Sequence, residues 1–166
     1  MTGLDPFGDD DTHPINIVEA LACTHAWEFD RITDDQIAMS IEGQWRTYAI
    51  TLVWCETDQT LRLLCTFEMA PPAEALPKLY EGLNAVNDRS WCGSFTWWAD
   101  HQVMIFRYGL MQAEDVLATP DQIDRMIMAA VTTCERYYPA FQLMIYDDQT
   151  PEQALQIAIA DAYGRA

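Results

Sequence analysis

Cys92 is the residue with the clearest potential for covalent chemistry. The stretch RSWCGSFTWW at 89–98 places it ahead of Gly93 and Ser94, an arrangement similar to the start of the C-G-[SA]-C-[WY] signature of cysteine proteases. In those enzymes the thiol opens a helix and pairs with a histidine. Here the alternating aromatic residues predict a strand, and Phe95 replaces the second cysteine of the signature. We therefore interpret Cys92 as a core or sheet-surface residue and predict no catalytic residue in the chain.

The histidines and acidic residues give no stronger candidate for catalysis or metal binding. Asp100 and His101 could form a general base with its orienting carboxylate, but ADHQ at 99–102 is typical of a solvent-exposed turn. His13 and His25 flank a predicted helix, where capping or surface roles suit them. The five cysteines show no C-x-x-C spacing and do not cluster with the histidines. We predict reduced thiols, no metal site and no cofactor.

The charge and hydropathy of the chain limit the classes of partner that it can bind. The chain has 26 acidic and 9 basic residues, and its net charge of -17 would repel nucleic acid and anionic lipid. No apolar run approaches the roughly 20 residues that span a bilayer, and the first residues lack the pattern of a secretion signal. We predict a cytoplasmic protein that binds neither nucleic acid nor membrane. Residues 1–11 are predicted to form an acidic disordered tail, and residues 12–166 a single domain.

Period-two alternation predicts the strands. It runs from Trp27 to Met69 as four consecutive strands, with a turn at Thr33 to Asp35 between the first two. The fourth strand places Cys65 in the core. Two further strands are predicted in SWCGSFTWW and VMIFRYGL, joined by the turn at 99–102.

Helical periodicity predicts four helices around these strands. The first follows Thr12 or His13 as N-cap, with Pro14 at its first position, and the second begins near Leu76. TPDQ at 119–122 and TPEQ at 150–153 each combine a threonine N-cap, an N1 proline and a capping-box glutamine. Pro139 is expected to kink or end the third helix, and the fourth is expected to end at Gly164. The fold class is thus α+β, with helices packed on an antiparallel sheet of about five to six strands in the order α-ββββ-α-ββ-αα.

The sequence resembles the YbjN family of bacterial sensory transduction regulators. The resemblance is carried by WEFDRITDDQIAMSIEGQWRTYAITLVW, LRLLCTFEMAPP, LYEGLNAVND, FTWWADHQVMIFRYGL and TPEQALQIAIADAYGRA. It implies a fold similar to that of class I type III secretion chaperones, which are small acidic dimers that hold an extended segment of a partner. It implies no catalytic residues.

The aromatic residues suggest how such a protein would act. Trp97 and Trp98 point to opposite faces of one predicted strand, so one helical layer cannot cover both. We predict a noncatalytic regulatory or chaperone-like module, homodimeric, that binds an extended or apolar segment of a protein partner. The alternative is a small-molecule sensor or an enzyme of unrecognised type, with a pocket between sheet and helices lined by Trp and Met. The predicted partner or dimer interface contains Trp45, Trp54, Trp97, Trp98 and Phe106.

Overall fold

The computed structural model describes residues 12–114 and 116–164, and for residues 160–164 it gives the course of the backbone only. The predicted acidic tail, residues 1–11, lies outside the described residues. Helices and strands follow one another in the predicted order, with a short 3-10 turn at Ala73–Ala75 before the second helix. They are α1 (Pro14–His25), β1 (Glu28–Thr33), β2 (Gln36–Glu42), β3 (Thr47–Cys55), β4 (Thr60–Glu68), α2 (Leu76–Arg89), β5 (Ser94–Trp98), β6 (Val103–Met111), α3 (Pro120–Tyr146) and α4 (Pro151–Gly164).

The six strands form one antiparallel sheet in the order β1-β2-β3-β4-β6-β5. The first four strands are a meander in which each strand pairs with the next along the chain. Strand β6 then pairs with β4, and β5 lies outside β6 at the edge. The predicted α+β fold with an antiparallel sheet is therefore confirmed.

One face of the sheet, here called the inner face, is covered by the helices. Alternate residues of each strand point to it, so that Ile37, Met39 and Ile41 of β2 are buried together with their partners on β3. Residues from all four helices join the same hydrophobic cluster. Cys65 is fully buried in that cluster, as its position in the alternation predicts. The largest fully buried side chains of the cluster include Tyr48, Phe106, Phe141, Ile15, Ile37 and Ile50.

The predicted caps begin three of the helices. His13 caps α1, and its Nδ1 accepts a hydrogen bond from the Ile15 backbone N–H at 3.2 Å. The Thr119 hydroxyl accepts from the Gln122 N–H at 3.1 Å, while the Gln122 side-chain oxygen accepts from the Thr119 N–H at 2.9 Å. Thr150 and Gln153 repeat this reciprocal pair at 3.2 and 3.1 Å. Both capping boxes that the sequence predicts are present.

The sequence predicts a kink or an end of α3 at Pro139. The helix runs through this proline to Tyr146, so the prediction of an end there is wrong. The helix continues because Phe141, Met144 and Ile145 extend its buried stripe beyond the proline. Burying each such side chain contributes about 1.5–3 kcal/mol, and three of them outweigh the cost of about 3 kcal/mol for a proline inside a helix. Among residues 12–114 and 116–164, no helix is both long enough and apolar enough to cross a bilayer.

Candidate functional site

Cys92 lies in the loop between α2 and β5, and the prediction that it belongs to a strand is wrong. The strand starts only after Gly93, whose φ of 125° is left-handed and breaks the extended run. A side chain at position 93 would also collide with Phe106 and with the Arg107 carbonyl. Cys92 is exposed and follows the C-terminal end of α2. Cys92 thus lacks the helix N-terminus that activates a cysteine nucleophile.

Two of the three histidines, His13 and His25, contact carboxylates, and neither contact involves Cys92. Besides capping α1, His13 contacts Asp35 through its Nε2, 3.0 Å from the carboxylate oxygen. His25 Nε2 lies 2.8 Å from Asp124 of α3, and its ring stacks on Trp27 with centroids 4.2 Å apart. His101 is exposed in the turn between β5 and β6, as the sequence predicts. Within the part of the chain that the structure describes, no group of three or more His, Cys, Asp or Glu side chains could hold a metal ion.

Glu135 of α3 organises the turn between β2 and β3, and sequence reasoning missed it. Its carboxylate accepts hydrogen bonds from the Tyr48 hydroxyl at 2.6 Å and from the Gln44 backbone N–H at 3.1 Å. Burial, and then the neighbouring carboxylate, raise the pKa of Tyr48 above its ordinary value of 10.0. Gly43 leaves room for this contact, because a side chain there would meet the Glu135 carboxylate. Tyr48 and Glu135 are 87 residues apart, so no local pattern announces the pair.

The face of the sheet opposite the helices, here called the outer face, carries no helix among the described residues. Apart from the exposed Arg62, which pairs with Asp58, and Glu68 at the end of β4, its positions within the central strands β3 and β4 are uncharged and mostly half-buried. Ile105 stands out because it is only 1% exposed and yet is not part of the helix-side cluster. Residues that pair side by side across the six strands form a row, and one such row on the outer face has an acidic residue near one edge and a basic residue near the other. From β1 to β5 this row is Asp30, Ala38, Thr51, Leu64, Arg107 and Ser94.

Of the five aromatic residues of the predicted interface, three lie on the inner face, one lies on the outer face and one lies before β3. Phe106 is 1% exposed in the core, and Trp54 and Trp97 pack against that core from the inner face. The Trp97 indole N–H also donates a hydrogen bond to the Met69 carbonyl at 3.2 Å. Trp98 is 41% exposed on the outer face, and Trp45, 44% exposed, precedes β3 instead of lying within a strand as predicted. Of these five residues, Trp45 and Trp98 have the surface that a partner could contact.

A cleft of about 520 Å³ lies between the C-terminal half of α3 and the ends of strands β4 and β6. Polar side chains dominate its wall, in contrast to the Trp- and Met-lined pocket that the sequence suggests as an alternative. Tyr146 closes one side, and its hydroxyl donates a hydrogen bond to the Ala70 carbonyl at 3.3 Å. The lining residues are Arg46, Glu68, Met69, Ala70, His101, Gln102, Tyr138, Gln142 and Tyr146.

Arg46 is the one arginine among the residues lining this cleft. Its Nη1 donates a hydrogen bond to the Glu68 backbone carbonyl at 2.7 Å. The guanidinium carbon lies 5.9 Å from the centre of the Tyr138 ring, within the range of a cation–π contact. None of the ion pairs among the described residues includes Arg46, although the chain is rich in carboxylates.

Comparison with known proteins agrees with the fold. The sequence model of the YbjN family, described as "Putative bacterial sensory transduction regulator", matches residues 14–143. A solved structure, "Crystal structure of YbjN, a putative transcription regulator from E. coli", superposes with a TM-score of 0.53 at 11% identity. The superposition covers 90% of this chain and 93% of that one. No curated protein matches the sequence. Because the family match includes α1, the whole sheet and most of α3, this chain belongs to the YbjN family.

Proposed function

We propose that this protein is a noncatalytic regulator that acts through protein–protein contacts, and that it pairs with a second copy of itself through the outer face. The observation that carries the proposal is a six-stranded sheet with all four helices on one side. A sheet normally needs a second layer on its other face when that face carries apolar residues. The description of the family as a regulator supports a role without catalysis.

The dimensions of the outer face match those of a dimer interface. Six strands spaced about 4.8 Å apart extend about 24 Å from the first to the last, and strands of nine residues are about 30 Å long. The edge strands β1 and β5 are shorter, so the face approaches the roughly 800 Å² per partner of a stable protein interface. A second sheet packed at about 10 Å would bury this area in one contact.

The charges of the outer face favour a second copy as its occupant. Asp30 and Arg107 lie on the same row near opposite edges, both are exposed, and neither belongs to an ion pair among the described residues. A two-fold axis parallel to the strands places β6 of one copy over β2 of the other, which brings Arg107 near the partner's β1 edge. Each Asp30 then lies over the partner's Ser94, one strand away from the partner's Arg107. The small Ala38 opposite that arginine leaves its side chain room to reach the carboxylate. An axis across the strands would instead place acidic edge on acidic edge.

Trp98 lies at the rim of this surface and the buried Phe106 is excluded from it. The proposed interface therefore includes one of the five predicted residues, together with uncharged residues at the centre of the outer face. Ala49, Thr51 and Leu64 are neighbours there on strands β3 and β4.

The test is the mass of the protein in solution at tens of micromolar and at about 0.15 M salt. We expect light scattering to give twice the 19.0 kDa of a single chain. Ala49→Glu, at an exposed position in the centre of the outer face, should give a folded monomer, because two carboxylates would be buried without partners. Met128→Glu on α3 is the matched control, since Met128 is an exposed apolar residue on the helical side.

A wild-type monomer would contradict self-pairing and leave the face for another polypeptide. A dimer that survives Ala49→Glu would show that the copies pair elsewhere. A variant lacking residues 1–11 should remain dimeric. If it is monomeric, residues 1–11 are required for pairing and the outer face alone is not sufficient.

A further inference from the structure

We propose that the cleft beside α3 binds a small organic molecule carrying one carboxylate, with Arg46 as the anchoring residue. This function goes beyond self-pairing and does not depend on it. The volume of about 520 Å³ lies within the range of about 300–1,000 Å³ that small-molecule sites occupy.

A comparison of Arg31 with Arg46 shows that the Arg46 guanidinium has donors available to a ligand. Arg31 contacts the Thr33 carbonyl, the Asn16 side chain, the Glu19 carboxylate and the Asp34 carbonyl, so its guanidinium serves the fold. Arg46 makes one hydrogen bond, to the Glu68 carbonyl, and its other guanidinium N–H groups have no protein acceptor among the described residues. That single bond and the Tyr138 ring hold the half-buried side chain in place at the cleft wall. A pre-positioned guanidinium with unused donors is suited to receive a carboxylate in the two-pronged geometry that arginine prefers.

The remaining wall supplies further polar groups and two aromatic rings. The His101 ring, the Gln142 amide and the Tyr138 hydroxyl line the cleft, and none has a hydrogen-bonding partner among the described residues. The Tyr138 ring is held edge-on against Phe67, with centroids 5.4 Å apart. The rings of Tyr138 and Tyr146 offer an apolar surface for the body of a ligand.

The charge of the cleft selects the class of ligand. Arg46 is its one permanently charged cation, and the Glu68 carboxylate belongs to a lining residue as well. A ligand with one carboxylate adds one negative charge beside the guanidinium, whereas a phosphate dianion adds two in a chain of net charge -17. A ligand with a single carboxylate and an apolar or aromatic body therefore fits better than inorganic phosphate.

The probe for this site is benzoate, and benzamide is its uncharged counterpart of nearly the same shape. The Trp97 indole N–H reports binding, because it donates to the Met69 carbonyl and Met69 lines the cleft. In NMR titrations of the isotope-labelled full chain at constant ionic strength, we expect benzoate to shift the Trp97 indole signal saturably. Benzamide should bind at least about tenfold more weakly, because it lacks the charge-assisted hydrogen bonds.

Arg46→Gln should weaken benzoate binding at least about tenfold. Arg89→Gln is the control, since Arg89 lies on α2, outside the cleft, and donates to the Ala85 carbonyl. If Arg46→Gln does not fold, Tyr138→Phe is the alternative variant. It keeps the ring on Phe67 and removes one hydrogen-bond donor from the cleft, so it should also weaken benzoate binding. Equal binding of benzoate and benzamide would overturn the proposal. So would unchanged benzoate affinity in a folded cleft variant, or saturation by inorganic phosphate alone.

Discussion

At the scale of single residues, the hydrogen bond between Tyr48 and Glu135 joins the sheet to α3. The Tyr48 side chain is fully buried, and its hydroxyl donates to the Glu135 carboxylate across 2.6 Å. We expect Tyr48→Phe to lower the free energy of unfolding by about 1.5–3 kcal/mol near neutral pH, the usual size of a hydrogen bond to a charged group. Urea unfolding measures this loss. Tyr80→Phe, at a half-exposed position on α2, should change it little.

The same pair gives a pH dependence with a defined sign. The pKa of Tyr48 is raised in the folded state, so the folded protein keeps a proton that the unfolded chain releases above its ordinary pKa of 10.0. The stabilisation is fully present below that value and is lost as the pH rises beyond it. Tyr48→Phe should therefore lose less stability than the wild type between about pH 9 and 11. Parallel losses in the two proteins would contradict a raised pKa for this hydroxyl.

Single residues also show what the sequence could and could not predict. Cys65 was predictable as core because its strand alternates cleanly between buried and exposed positions. Cys92 was placed wrongly, because SWCGSFTWW alternates in the same way and only the backbone angle of Gly93 delays the start of the strand to Ser94. Arg46 had no local signal, since the cleft is formed by segments from β4, the β5–β6 turn and α3.

At the scale of elements, the two capping boxes make a prediction about stability. Thr119→Ala and Thr150→Ala should each cost about 1 kcal/mol, because the first turns of α3 and α4 lose a side-chain acceptor. Thermal unfolding in the same buffer measures both effects. Thr132→Ala, an exposed position inside α3, is the control and should not destabilise the protein. Unchanged midpoints in both cap variants would mean that these bonds do not stabilise the helix starts.

Elements with their own local signal were predicted well. The caps, the period-two strands and the turn at 99–102 are properties of short stretches, and the structure confirms them. The continuation of α3 past Pro139 was not predictable locally, because it depends on contacts with the rest of the core. Neither was the position of β6 between β4 and β5, which is set by tertiary pairing.

At the scale of the whole molecule, the row from Asp30 to Arg107 predicts how the two copies of the proposed dimer are oriented. Asp30→Arg or Arg107→Asp alone should weaken the dimer at least about tenfold, because each replaces two attractive contacts by repulsive ones. The double variant Asp30→Arg, Arg107→Asp should restore pairing. Sedimentation over a concentration series measures the dissociation constants. A dimer indifferent to both single changes would reject this orientation while leaving self-pairing intact.

The strand order also determines when the outer face becomes available during folding. Strands β1 to β4 pair with their neighbours in the chain and close short loops, whereas β6 reaches β4 across α2 and β5. Because the entropy of closing a loop grows with its length, we expect the meander to form first and β6 to join later. The outer face spans both parts, with Leu64 on β4 and Arg107 on β6. We therefore expect this face to be complete only at the end of folding, so that in the proposed dimer a second copy would recognise the finished protein and not a half-formed intermediate.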